Sequence, residues 1–183
     1  GVGSNQAFLV TAAPYYHVGS LATNGCVWAP PDGTAELVWT WSNAQANAWL
    51  DASFAENLTP AHGVPEWWLA ELGFTNDFAA AEETDLDGDG LSAWQEYRAG
   101  TRADDPASAL QIESLEPAEE AGGLVLRWQS ASNRFYAIGL GAGQPAAYGR
   151  RLATNLSATP PVNVYTAALD GLTNAFFRIE LEP

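Results

Sequence analysis

DLDGDGLSAWQE, running from Asp85 to Glu96, is the stretch whose spacing dictates a chemistry. Carboxylates fall at its first, third and fifth positions (Asp85, Asp87, Asp89), Gly90 is sixth, and Glu96 closes it at the twelfth. A hard dication such as Ca2+ takes about six to eight oxygens at about 2.3–2.6 Å. A chain wrapped round one therefore offers carboxylates at alternate positions, turns sharply, and returns with a bidentate one. Gly90 permits the turn because it lacks a Cβ. The seventh residue, Leu91, would give its backbone carbonyl, while the ninth, Ala93, carries no ligand and implies a water there. The alternative is a solvated acidic turn, in which three spaced Asp, a Gly and a terminal Glu coincide by chance. Five acids lie between Glu82 and Asp89 with no base until Arg98, so a metal-free loop is electrostatically unfavourable. The sequence thus predicts Ca2+ held by Asp85, Asp87, Asp89, the Leu91 carbonyl and Glu96.

This is the spacing of the EF-hand calcium loop. Its flanks are VPEWWLAELGF from Val64, ETDLDGDGLSAWQEYRAGT from Glu83, and ASALQI from Ala107. Together they resemble a module found near the C-termini of many secreted bacterial proteins. That module has a Pro-Glu-Trp-Trp helix, a DxDGDG loop, an EYxAGT helix end and a small β-domain with a W-P/Q-S strand. Its loop is related to those of dockerins and thrombospondin type 3 repeats. The resemblance covers Val64 to Pro183, with LVLRWQS (Leu124 to Ser130) and FFRI (Phe176 to Ile179) similar to the β-domain. Two departures stand out: Ala93 replaces the usual Asn at loop position nine, and Arg102 and Ala103 replace the acid and Pro that usually follow Gly-Thr. The second departure argues against another ion at that corner, although Asp104 and Asp105 follow closely. The resemblance implies extracellular, calcium-dependent structure and no particular reaction.

The chain has 183 residues, enough to bury a core and at the border between one domain and two. Its net charge of -15 argues against nucleic acid and anionic membrane surfaces, which attract basic patches. No run approaches the length of a bilayer span, so no membrane insertion is expected. All seven basic residues are Arg, which suits planar pairing with carboxylates. The opening Gly1 suits a processed secreted protein or a trimmed one. Cys26 is the single Cys, so no internal disulfide is possible and a small buried hydrophobe is expected.

Read in order, Ala7 to Thr11 (AFLVT) is a strand, with Phe8 and Val10 on one face and Leu9 on the other. Both faces are apolar, which is usual for a strand clamped between layers. Tyr15 to Val18 reads as resuming it after Pro14. Asn24-Gly25 signals a hairpin, and Pro30-Pro31-Asp32-Gly33 a second turn. Glu36 to Trp41 alternates as a strand, with Leu37, Trp39 and Trp41 on one face. Ala46, Leu50, Phe54 and Leu58 then recur at helical spacing, with Ser42 or Asn43 as N-cap and Pro60 as terminator. A second helix starts at Pro65 and stops at Gly73, a short turn covers Asp77 to Ala81, and Ser92 to Ala99 forms the exit helix with Trp94 and Tyr97 inward and Gly100 as cap. Beyond Pro106, strands are expected near Leu110 to Glu113, Leu124 to Gln129, Phe135 to Leu140, Val162 to Thr166 and Phe176 to Leu181. Gly139 to Pro145 and Ala158 to Pro161 read as connections. The fold expected is mainly β, with β-sandwich-like domains and a helical calcium-binding insert. Its parts are residues 1–59, the helical segment 60–106, and a C-terminal β-domain at 107–183.

His17 and His62 are the only side chains of near-neutral basicity, and neither lies in a nucleophile motif. GxSxG, HExxH and a P-loop are all missing. Glu82-Glu83 and Glu119-Glu120 are pairs adjacent in sequence and are expected to point apart, unlike the facing carboxylates of a glycosidase. No enzymatic activity is expected. Of the eight Trp, Trp67, Trp68, Trp94 and Trp128 are expected to pack. Trp28, Trp39, Trp41 and Trp49 remain for stacking on sugar rings. The leading expectation is a secreted structural protein at the cell surface or in an extracellular matrix. It would polymerise with itself into filaments by strand addition through Ala7, Phe8, Leu9, Val10 and Thr11. The alternative is a polysaccharide-binding or accessory module of a secreted hydrolase.

Overall fold

The computed structural model describes residues 3–23, 26–42, 49–119, 122–142, 149–168 and 175–182. Among the described residues strand outweighs helix by 47% to 11%, so the fold is mainly β with a small helical region. The chain divides into two compact units, Gly1–Glu83 and Thr84–Pro183, so the boundary falls inside the segment 60–106 expected to be helical.

In the first unit, β1 (Gln6–Thr11) pairs antiparallel with β4 (Glu36–Trp41), placing Phe8 opposite Trp39, Leu9 opposite Val38 and Val10 opposite Leu37. A second sheet sets β2 (Tyr16–Thr23) between β3 (Cys26–Trp28) and β5 (Asp51–Glu56). Val10, Val18 and Leu21 form one core cluster of this unit, with Leu37, Trp39, Leu50 and Ala52 packed against it. Burial of these side chains supplies the main driving force for closing two small sheets on each other. Helices α1 (Glu66–Glu71) and α2 (Phe78–Ala81) follow.

Three expectations are corrected in this unit. The segment Asp51–Glu56 is strand β5 instead of helix, paired with β2 so that Val18 faces Phe54. Leu50, Phe54 and Leu58 are four apart, a spacing that also returns to one face of a strand, and pairing with β2 decides between the two. The expected cap Asn43 and Ala46 lie outside the described residues, as does the Asn24-Gly25 turn. β1 is not clamped between layers: Leu9 and Val38 are each 63% exposed. Cys26 is exposed because β3 is a three-residue edge strand with no neighbour beyond it among the described residues.

The second unit opens with the acidic loop and α3 (Ala93–Ala99). It continues with β6 (Ile112–Pro117), β7 (Gly123–Gln129), β8 (Phe135–Ala142), β9 (Arg150–Ser157), β10 (Val162–Ala168) and β11 (Ala175–Glu182). Two antiparallel sheets result, ordered β10-β7-β6 and β11-β8-β9. Leu126, Trp128, Tyr136, Ile138 and Ala167 from both sheets bury into one cluster. The Trp128 and Tyr136 rings meet edge to face at 5.9 Å, the geometry aromatic quadrupoles favour. Trp128 is buried as expected, whereas Trp67, Trp68 and Trp94 are half-buried.

The Gly139-to-Pro145 connection is corrected as well. Gly139 to Ala142 continue β8, with Gly139 opposite Arg178 on β11 and Arg151 on β9. Pairing on both sides and burial of Ile138 and Leu140 hold the glycines in the sheet. Residues 143–145 lie outside the described residues. β9 was not anticipated; its sequence RRLATNLS is polar and its pairing with β8 is interrupted by irregularities.

Candidate metal centre

The acidic loop folds on its own carboxylates. Asp85 accepts the Gly88 N–H on Oδ1 at 2.7 Å and the Gly90 N–H on Oδ2 at 3.0 Å. Asp87 Oδ1 accepts the Asp89 N–H at 3.1 Å, and Asp89 Oδ1 accepts the Leu91 N–H at 2.7 Å. These bonds curl the backbone so that one oxygen from each of Asp85, Asp87 and Asp89 lies within 4.8 Å of the others. Gly90 has φ +98°, a conformation closed to most other residues, which accounts for glycine at the sixth position. The loop closes where the Ala93 N–H donates to the Thr84 carbonyl at 2.9 Å.

Helix α3 brings Glu96 to the loop from inside the unit. Ser92 starts the helix, its N–H donating to Gln95 Oε1 at 2.9 Å. Ala93 and Glu96 are the residues that α3 buries, while Trp94 and Tyr97 are half-buried; this corrects the expectation that the two aromatics form its inward face. Spacing explains it, since residues three apart share a helix face and Ala93 and Glu96 take the inner one. Glu96 stands outside the 4.8 Å group but within electrostatic reach of it. Burial raises its carboxyl from the ordinary 4.5 to about 7, helped by repulsion from Asp87 and Asp89 and, less, Asp85, and opposed by a hydrogen bond from Thr101. The Thr101 hydroxyl donates to Glu96 Oε1 at 3.3 Å, which leaves Glu96 Oε2 and Asp87 Oδ2 buried with no hydrogen-bond partner. Unpartnered buried oxygens beside like charges fit a bound cation, and an all-carboxylate donor set suits a hard dication.

The far end of α3 is tied to the β-domain of the same unit. Arg134, just before β8, donates from Nε to the Arg98 carbonyl at 2.5 Å and from Nη2 to the Tyr97 carbonyl at 2.9 Å. Its guanidinium lies 6.0 Å from the Tyr97 ring centre. A cation at a helix C-terminus satisfies carbonyls that the helix itself leaves open. Loop, helix and sheet are thereby mechanically connected.

The other residues singled out in the sequence fall in the first unit. The strand Ala7, Phe8, Leu9, Val10, Thr11 pairs with β4 of its own chain. Trp28 and Trp49 are exposed and Trp39 and Trp41 half-exposed, but the Trp28 and Trp39 planes are tilted by 48° and form no flat platform. His17 Nδ1 lies 2.9 Å from Asn57 Oδ1, in an open cleft with Asp32, Glu56 and Glu66.

One grouping was not legible in the sequence. His62, Glu82 and Glu83 place a ligand atom each within 4.8 Å of the others, close enough to hold a divalent ion. His62 Nε2 lies 2.8 Å from Glu83 Oε1, across 21 residues of sequence. No local spacing marks such a cluster, and the only available signal was a His preceding an adjacent Glu pair. Among the described residues, no helix is long and apolar enough to cross a membrane. Comparison with family models, curated proteins and solved structures found no match to this chain.

Proposed function

We propose that the chain is a calcium-stabilised extracellular structural unit that assembles with copies of itself. In this reading an EF-hand-like loop and helix anchor a β-sandwich-like domain. The observation that carries it is Glu96, buried with an unpartnered oxygen beside three Asp. An ion there would neutralise the loop and let Glu96 close the coordination sphere. Calcium is favoured because every side-chain donor is a carboxylate oxygen and the spacing is that of a calcium loop. Extracellular loops of this type bind at about 10⁻⁴ to 10⁻³ M, a range suited to a calcium-rich exterior. The resemblance to secreted bacterial modules points the same way.

The self-assembly reading rests on the β1–β4 ribbon. Among the described residues each of these strands has a single partner, so each keeps a main-chain edge. Leu9 and Val38 stand opposite each other on the exposed face. A second copy adding a strand at such an edge is a known route to association, and head-to-tail addition gives an open filament unless the rotation closes a ring. Thermal melting in calcium and in chelator, followed by light scattering in both, tests the proposal. Equal melting temperatures would end the calcium reading, and a strictly monomeric protein at high concentration would end the assembly reading.

A further inference from the structure

We propose that His62, Glu82 and Glu83 form a second metal site, specific for a borderline dication of the zinc class and separate from the acidic loop. The site lies wholly within the first unit. Its two sides are built by local structure. On one, residues 59–64 form a tied loop: the Gly63 N–H donates to the Thr59 carbonyl at 3.1 Å, the Thr59 N–H to the Val64 carbonyl at 2.9 Å, and the Val64 N–H to Thr59 Oγ1 at 2.9 Å. Gly63 takes φ +69°, and His62 rides at the tip beside it. On the other, Glu82 caps α2, its N–H donating to the Phe78 carbonyl at 3.0 Å, and Glu83 follows with its N–H on the Ala80 carbonyl at 3.2 Å.

Glu82 is the observation that points to a ligand. Its side chain is fully buried, and the Thr59 hydroxyl donates to Oε2 while Oε1 has no hydrogen-bond partner. A buried carboxylate oxygen without a donor is desolvated without compensation. Here the uncompensated group belongs to a cluster whose other two members, His62 and Glu83, are exposed and leave the ion a path from solvent. Thr59 acts as a supporting partner, fixing the Glu82 carboxylate as outer residues commonly do for metal-binding carboxylates.

The donor set selects the ion. One imidazole nitrogen and two carboxylate oxygens match Zn2+, which takes N and O ligands at about 2.0–2.2 Å and commonly four in all. Three protein ligands leave a fourth position for water on the exposed side. Ca2+ requires about six to eight oxygens and gains little from imidazole, so the two sites divide by ligand type. The bound ion would join the loop at 59–64 to the turn after α2.

The test is calorimetric titration of Zn2+ into the full chain with Ca2+ in large excess, repeated with Co2+ and read by visible absorption. The expected result is one equivalent of Zn2+, bound at least tenfold more weakly by both His62→Ala and Glu83→Gln and unchanged in Asp89→Ala. His62 and Glu83 are exposed, so these variants should fold, and circular dichroism checks that they do; the buried Glu82→Gln is a supporting variant only. Absence of Zn2+ uptake, uptake unchanged in either His62→Ala or Glu83→Gln, or uptake lost in Asp89→Ala would overturn the proposal. The calcium reading is untouched by any of these outcomes, because the loop is assayed separately.

Discussion

Glu96 is the residue on which the chemistry of the second unit turns, because its carboxylate is fully buried and faces Asp87 and Asp89. In calcium-free protein its carboxyl is raised from 4.5 to about 7, so between those values the folded state holds a proton that the unfolded state has released. Stability of the calcium-free fold therefore falls as pH rises through that window, by up to roughly 3 kcal/mol at its upper end. Glu96→Gln should remove this slope, raise the melting temperature in chelator near pH 7.5, and abolish the gain on adding calcium. Urea unfolding across pH 4.5 to 7.5, with and without chelator, checks all three effects; a variant less stable than wild type in chelator would contradict them. These ligands were legible because they fall within one turn of chain, where spacing encodes geometry. His62, Glu82 and Glu83 were not, because folding alone brings residues 21 positions apart to 2.8 Å.

At the scale of the element, α3 is held at both ends, and its C-terminus is the more sensitive. Gly100 caps it at φ +75°, and a Cβ added there would stand 2.2 Å from the Ala131 Cβ. Gly100→Ala combines a disfavoured backbone with a clash, and a loss of at least about 1–3 kcal/mol is expected in chemical denaturation. Arg134→Ala strips the donors from the Tyr97 and Arg98 carbonyls, and should lower stability by about 1–3 kcal/mol and weaken calcium binding, since the helix carries Glu96. Unchanged calcium affinity in Arg134→Ala would show that the helix end and the loop are not coupled. Trp94→Ala, at a half-buried position, should cost less than the roughly 3–5 kcal/mol of a buried aromatic. The elements with one strong period, β1, β4, β7 and β10, were readable from sequence. β5 was not, because a repeat of four satisfies strand and helix alike, and β9 was not, because a polar edge strand carries no apolar alternation.

For the whole molecule, the proposed calcium binding and the proposed self-association would be linked through charge. A net charge of -15 opposes close approach of copies, and calcium bound at the acidic loop would reduce it. Leu9→Lys, on the exposed face of the ribbon, should reduce particle size in light scattering with little effect on melting, since Leu9 is 63% exposed. Deleting β1 would be a poorer test, because β1 pairs with β4 and carries the core residue Val10. The division into Gly1–Glu83 and Thr84–Pro183 was not readable, since the resemblance joins the helix at Val64 to the loop at Asp85 and runs across the boundary. With free calcium at about 100 times its dissociation constant the fold should gain about 2.7 kcal/mol, a shift of several degrees in melting. The central claim is tested most directly by calorimetric titration of calcium into the wild-type chain and into Asp89→Ala. One equivalent bound by the wild type, with uptake lost in Asp89→Ala, is the result predicted; no uptake by the wild type, or equal uptake by the two proteins, would contradict it.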